Sequence, residues 1–399
     1  MRIEAAHPDF QNRRDAVSLT PLEETTMSQR NSVLNDRHRK LGSALDGDSW
    51  NGMPIPWRYH TDPHEEVVAT RTRAALYDVS ALNIVNVRGR DAEAVLDRLV
   101  SIDVTRLKPG TARLGAEVNE QGALVDDIMI IRDAADRFRV SHGSGATPRT
   151  LAALAEGRQV TIEADRDVHI LSLQGPLSLE VLKPHVGGDL AALPYFCHFE
   201  TTLFGVPVTI GRGGYSGERG YEVYCASKDA GKLWDAILEA GKPHGVIAAS
   251  WTALDLTRVE GALLFFPYDM PEGDTTPWEV NMDWAVDLDK KGDYIGKDAV
   301  LKSRGKERVK QAGMLVQHHA AVDAGAKIFD GTQEVGVVTS ASYSRLLMQS
   351  LAMVHLRPSH AQPGTRLTIA HGDKPLEALV VRTPFYDPLR QRTHPERQR

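Results

Sequence analysis

Apolar and polar positions change rhythm along the chain. Up to about residue 45 the residues are polar without a steady period, which predicts a loosely held arm over residues 1–45. Helical and strand periods then alternate. "HEEVVATRTRAALYDVS" places Val67, Val68, Ala74 and Ala75 on one buried face of a predicted helix. "NIVNVRGRDAEAVLDRLV" reads as a strand, a turn at Gly89, and a helix with Ala92, Val95, Leu96 and Leu99 inside. "HILSLQGPLSLEVLKPHV" repeats that order around Gly175–Pro176. Two such units, about eighty residues apart, suggest an internal duplication or two α+β halves. "TTLFGVPVTIGRGGYSGERGYEVYC" is β-branched and aromatic around its glycines, as in a hairpin or two adjoining strands. "DAGKLWDAILEAGKPHG" is an amphipathic helix stopped by Gly241 and Pro243, and "AASWTALDLTRVEGALLF" reads as helix too. From about residue 305 short strands take over, separated by turn residues, which predicts a small all-β barrel or sandwich. The expected units are α+β over residues 46–165, α+β over 166–300 and all-β over 301–390, ending in a frayed "RQRTHPERQR".

Composition narrows the function classes. A chain of 399 residues exceeds what one core supports, consistent with two or three domains. The net charge of -6 and the lack of a basic stripe argue against nucleic acid as a partner. No run of ~20 apolar residues is present, so no membrane helix is expected. The first residues lack the apolar core of a signal peptide, and Met27 offers an alternative start at "MSQRNSVLNDRHRK". Cys197 and Cys225 are the two cysteines, which suggests buried thiols in a reducing, cytoplasmic setting.

Candidate chemistry gathers at a few stretches. "GRGGYSGERG" resembles a phosphate cradle, but Ser216 stands where the third glycine of a dinucleotide fingerprint belongs, and strand-like "YEVYC" follows. His60, His64 and Glu65, and the adjacent His318–His319, match no tetrahedral metal set and read as surface residues, so no metal is expected. In "VNEQGALVDDIMIIR", Asn119 and Glu120 precede a tight turn at Gly122. Asp126 and Asp127 then sit inside an apolar strand, where neighbours face opposite sides. One of them must face the core or a cavity. It is either satisfied by backbone amides or shifted in pKa and available for chemistry. Glu218 and Glu222 flank the glycine-rich stretch, with Tyr215 and Tyr221 able to meet a flat ring. Together these residues suit a flat, polar, hydrogen-bonding heterocycle, without naming one.

Six phrases, in order, resemble the aminomethyltransferase family typified by the glycine cleavage T-protein. They are "RTRAALYDVSALNIVNVRG", "NEQGALVDDIMI", "LSLQGPLSLEVL", "GRGGYSGERGYEV", "GDTTPWEVNMDWAVDLDKKGDYIGKDAV" and "GVVTSASYS". The resemblance runs from about Pro54 to Pro384. It implies an α+β fold of three domains, the last a β-barrel, around a central channel that holds tetrahydrofolate, onto which a one-carbon unit is transferred. By the same resemblance Asp126 takes the place of the catalytic aspartate. Glu218 takes that of the glutamate gripping the pterin edge, with Tyr215 beside it and Asn119 near the pocket. Lys290 and Lys291 fall near the basic residues for the folate tail. The chain departs from the T-protein pattern at Ala81–Leu82, where a histidine is lost, at Leu254 in place of an arginine, and at Leu114 in place of a tyrosine. These departures favour relatives that strip methyl groups from small O-, S- or N-methyl compounds over a T-protein acting on a lipoylated carrier. "LLFFPYDM" supplies Phe265, Phe266 and Tyr268, read as core in preference to a substrate surface. A non-enzymatic folate protein of the iron–sulfur assembly kind is disfavoured, because "GGYSGERG" stands where those relatives carry a cysteine phrase.

Overall fold

The computed structural model describes residues 30–398. The chain begins with α1 (Asn35–Lys40), a two-stranded ribbon β1 (Ser49–Trp50) and β2 (Met53–Pro54), α2 (Pro63–Thr72), β3 (Ala75–Asp78), β4 (Asn83–Arg88) and α3 (Ala92–Leu99). It continues through β5 (Thr111–Val118), β6 (Leu124–Ala134), β7 (Arg137–His142), α4 (Thr147–Ala155), β8 (Thr161–Ala164), β9 (Val168–Gln174) and α5 (Ser178–Leu182). Next come β10 (His198–Leu203), β11 (Val206–Arg212), β12 (Gly220–Ala226), α6 (Ser227–Gly241), β13 (Ile247–Ala248), α7 (Trp251–Glu260) and α8 (Lys297–Ser303). The last unit holds β14 (Lys310–Val316), β15 (Lys327–Asp330), β16 (Gln333–Ser344), β17 (Gln349–Leu356), β18 (Arg366–Ile369) and β19 (Leu376–Val381).

The fold is α+β with a closed C-terminal barrel. A five-stranded sheet runs β5-β6-β7-β4-β8, a six-stranded sheet runs β10-β11-β12-β9-β3-β13, and the barrel runs β14-β17-β16-β15-β18-β19. Each has its own apolar core: Val95, Leu96 and Leu99 of α3 under Ile128 and Ile130, Leu233, Trp234 and Ile237 of α6 under the second sheet, and Val338, Val354 and Ile369 inside the barrel. A fourth cluster, with Leu124, Phe266, Trp278 and Tyr294, ties the β5–β6 hairpin to the long segment before α8.

The strand–glycine–helix units form as expected, around Gly89 and Gly175. At Gly175, φ is +135° and an added Cβ would lie 2.5 Å from the Arg73 carbonyl, so a side chain is excluded there. The first predicted helix ends early, at Thr72. Its apolar rhythm runs across a boundary, because Ala75–Asp78 is a strand paired with β9 on one side and β13 on the other. Pairing on both edges outweighs helical spacing, and Val68 is left 42% exposed. β3 therefore joins the second sheet, although it precedes the whole of the first in sequence.

Residues 1–29 of the expected arm lie outside the described residues, but residues 30–45 are docked. Leu34 is fully buried, and His38 sits between Asp78 and Tyr59 at 2.9 Å from each. No helix among the described residues is long and apolar enough to cross a membrane.

Candidate active site

The two sheets, α7 and the barrel enclose a cavity of about 2070 Å³. Ordinary ligand pockets span about 300–1,000 Å³, so there is room for more than one small molecule. Ala112, Leu114, Asp127, Met129 and Ile131 contribute one wall, and Ser172, Gly211, Glu222 and Tyr224 another. These sets follow from register: Leu114 pairs with Met129 and Ala112 with Ile131, while Glu222 lies between Gly211 and Ser172.

The aspartate pair divides as the strand period requires. Asp126 is 1% exposed and alternates with Asp127 along β6, yet it too lines the cavity, beside His142 and Gly143. Its carboxylate accepts from the Gly143 and Ser144 amides at 2.7 Å and from the Asp127 amide at 2.9 Å. Burial pushes its pKa up to about 6, against the pull of those amides. Asp127 is half-buried, and no hydrogen bond from another described residue reaches its carboxylate. Burial, and then the neighbouring Asp126, hold it well above the usual carboxylate range. Cross-strand from Asp126 stands Glu117, whose Oε2 accepts from Thr147 Oγ1 at 2.6 Å and whose Oε1 is buried without a partner. Burial pushes Glu117 up to about 7.

The glycine-rich stretch wraps a side chain. Gln174 donates to the Gly213 carbonyl at 3.0 Å and accepts from Ser216 Oγ at 2.7 Å. An added Cβ at Gly214 (φ +148°) would come within 2.1 Å of that amide, which accounts for the glycine. The two flanking glutamates end in different places. Glu218 is 3% exposed and does not line the cavity. Arg71 at 3.3 Å, Arg392 at 3.1 Å and the Tyr386 hydroxyl take up its carboxylate, and burial outweighs the two arginines to raise its pKa. Glu222 lines the cavity, and its only hydrogen bond to another described side chain comes from the Tyr224 hydroxyl at 3.0 Å. Burial raises this carboxyl too. Tyr215 also lines the cavity and donates its hydroxyl to the Leu264 carbonyl, whereas Tyr221 is buried in the core.

Two other sequence candidates are placed away from the cavity. Asn119 Oδ1 accepts from the Gln121 and Ala123 amides at 3.0 Å and holds the Gly122 turn. Lys290 is 3% exposed and caps the end of α3, donating to the Val100 and Ile102 carbonyls at 2.9 and 2.8 Å and pairing with Asp97 at 2.9 Å. Lys291 is exposed.

Other expectations meet mixed outcomes. Leu114 and Leu254, two of the departures from the T-protein pattern, both line the cavity. In "LLFFPYDM", Phe266 packs into the fourth core cluster and also reaches the cavity, while Phe265 and Tyr268 meet at a tilt, 5.3 Å between ring centres, on the cavity wall with Trp50. Cys225 is buried, but Cys197 is half-buried and lines the cavity. His64 and His318 line it as well. Sequence reasoning passed over His142, on the same wall, because no motif or spacing marks it.

Comparison with known proteins agrees with this architecture. Residues 34–290 match the family model described as "GCVT N-terminal domain", and residues 310–387 match "Glycine cleavage T-protein C-terminal barrel domain". The heme-dependent oxidative N-demethylase gamma subunit of Ectopseudomonas mendocina is 41% identical over 374 residues, spanning 92% of this chain and 98% of the relative. The aminomethyltransferase of Halalkalibacterium halodurans is 32% identical over 352 residues, 86% and 94% of the two chains. The crystal structure of glycine cleavage system aminomethyltransferase T from Bartonella henselae superposes with a TM-score of 0.83 at 27% identity, covering 90% of this chain and 99% of that one. The chain belongs to the aminomethyltransferase family, the family of the glycine cleavage T-protein.

Proposed function

We propose that this protein moves a one-carbon unit, released from the N-methyl group of a small amine, onto tetrahydrofolate. The observation that carries the reading is the Asp127 carboxylate, half-buried in the cavity without a hydrogen-bond partner among the described residues and next to a second acid. Tetrahydrofolate supplies two nucleophilic amines and a pterin edge bearing parallel N–H donors. The residues fit such a group: Glu222 offers a carboxylate oxygen that no described side chain occupies, and a carboxylate matches two parallel N–H donors. Tyr215 and the leucines at 114 and 254 add apolar surface beside it. The pterin-edge role thus moves from Glu218 to Glu222, since Glu218 is taken up by two arginines.

Asp127, in place of Asp126, is the acid that meets the reacting groups. Asp126, which also lines the cavity, is the positioning residue: its carboxylate is taken up in clamping the loop after β7 through the Gly143 and Ser144 amides, whereas that of Asp127 is not. Asn119 and Lys290 hold the fold and do not touch the ligand in this reading.

Similarity to an oxidative N-demethylase subunit favours a carbon delivered at the oxidation level of formaldehyde or an iminium ion. Such a carbon is already electrophilic, so the reaction needs alignment and proton transfer. Alignment alone contributes several kcal/mol. In the balance, an iminium R2N⁺=CH2 yields R2NH2⁺, and both hydrogens gained by the amine come from the two acceptor N–H groups. Asp127, whose protonated form is favoured by burial and by the neighbouring Asp126, is suited to deliver a proton to the departing amine or hydroxyl.

The test is mass analysis of folate products after incubation with tetrahydrofolate and formaldehyde or N-methylated amines. Formation of methylene-tetrahydrofolate above the spontaneous rate is expected. Accumulation of methyl-tetrahydrofolate from an N-methylated amine alone would replace this chemistry with direct methyl transfer, and no acceleration in either case would overturn the proposal.

A further inference from the structure

The proton inventory of the site is incomplete with Asp127 alone. A protonated acid can deliver a proton to the leaving group, but an acceptor must remove one from the attacking amine. His142 meets the requirements for that acceptor on independent grounds. It closes β7, and its ring lines the cavity although the residue is 5% exposed. Nδ1 lies 2.9 Å from the Ser144 carbonyl oxygen. A carbonyl only accepts, so Nδ1 must carry the proton and Nε2 must bear the lone pair. Nε2 has no hydrogen-bond partner among the described residues, and it is absent from the sealed polar atoms that lack one.

The ring's position follows from the loop that Asp126 clamps. Ser144 fixes the imidazole through its carbonyl, and its amide is bound to Asp126 at 2.7 Å. The carboxylate that holds the loop therefore also sets the tautomer of the ring two residues earlier. Ionisable groups on the neighbouring elements are Asp126 and Asp127 on β6, Glu117 on β5 and Glu272, which accepts from Ser144 Oγ at 3.3 Å. On β4, Asn83 pairs with His142 and is reached by Arg30 at 3.4 Å. None of these hydrogen-bonds the ring.

We propose that His142 is the general base of this site: a neutral imidazole of fixed tautomer whose Nε2 takes the proton from the attacking amine while Asp127 supplies one to the leaving group. The assignment rests on the one-carbon-transfer reading above. Burial lowers the His142 pKa and raises that of Asp127, which favours the neutral base and the neutral acid. His142 must be deprotonated and Asp127 protonated, so activity should rise as pH climbs through the His142 pKa and fall as Asp127 ionises. Burial pushes Asp126 up to about 6 and Glu117 up to about 7, close enough to the rising limb that variants must assign it.

Two measurements test this. Nitrogen-15 NMR of the full chain should show one histidine, missing in H142N, protonated at Nδ1, titrating below 6.5 and shifted at Nε2 by added tetrahydrofolate. In turnover with tetrahydrofolate and formaldehyde, H142A should lose about 10²–10³-fold, the range of general-base catalysis. Added imidazole should restore part of that loss, and tetrahydrofolate affinity should stay within a few-fold. The rising limb should vanish in H142N and persist in E117Q. An Nε2–H tautomer, or an H142N profile identical to wild type, overturns the proposal. A collapse of folate affinity without imidazole rescue makes His142 a contact and overturns its role as base. If wild type shows no turnover, the function reading fails; the NMR shift then still decides whether His142 faces the bound pterin.

Discussion

Two buried acidic regions sit on the same scaffold and meet opposite fates. Around Arg71, every strong charge has an answer. The guanidinium bonds Glu260 at 2.9 and 3.0 Å, reaches Glu218 and the Ser216 and Thr257 carbonyls, and stacks 4.1 Å from the Tyr386 ring. Along the cavity wall, Asp127 and Glu222 are raised by burial, and no cation among the described residues pairs with them. Burial is common to both regions, and partnership separates them. A paired buried acid holds elements together, here α2, α7, the glycine-rich loop and the C-terminal segment. An unpaired one is costly unless something else, such as a ligand, completes it.

The contrast can be broken from the structural side first. Arg71→Met leaves Glu260 buried without its cation and Glu218 with Arg392 alone, and such changes cost about 3–5 kcal/mol. A large drop in the urea midpoint is expected, and a midpoint near wild type would mean the knot is not a support. The contrast sharpens with the two glutamates. Glu222→Gln removes a charged hydrogen-bond acceptor worth about 1.5–3 kcal/mol, so tetrahydrofolate should bind about 10–100-fold more weakly by calorimetry, with the urea midpoint kept. Glu218→Gln should do the reverse, losing stability and sparing affinity. The smallest effect belongs to Asn119→Ala, which removes one turn-holding acceptor at a cost of about 1 kcal/mol. Tetrahydrofolate affinity should be unchanged, and a weakened affinity would return Asn119 to the pocket.

Much of this was legible before any coordinates. Six ordered phrases and the switch to short strands near residue 305 anticipated two α+β units and a closed barrel. The finer assignments are underdetermined where a local pattern has two physical solutions. Strand period separates Asp126 from Asp127, but both line the cavity, so alternation alone cannot choose between them. Glu222 could have been found: Tyr221, Val223 and Cys225 form the apolar face of "GYEVYC", which leaves Glu222 and Tyr224 together on the other. Glu218 lies outside any strand, and its partner Arg392 is 174 residues away, a distance no local signal spans. Lys290 likewise closes α3 across 190 residues, at the Val100 carbonyl. The first helix was overdrawn because Ala74 and Ala75 continue its rhythm, while Ala74 lies in the connection after Thr72 and Ala75 opens the next strand.

The claim that an unpartnered Asp127 works while a clamped Asp126 positions is tested most directly by making both asparagine variants. For each, the rate of methylene-tetrahydrofolate formation and the urea midpoint are measured. For Asp127→Asn, turnover should fall about 10²–10⁴-fold with the midpoint kept at neutral pH. Its folded-state pKa is raised, so its ionisation opposes folding above the unfolded value of about 3.9, and removing that charge does not destabilise. For Asp126→Asn, three amide donors lose their carboxylate, and stability should drop by about 2 kcal/mol. An Asp127→Asn protein with wild-type turnover, beside a stable Asp126→Asn protein without any, would contradict the account.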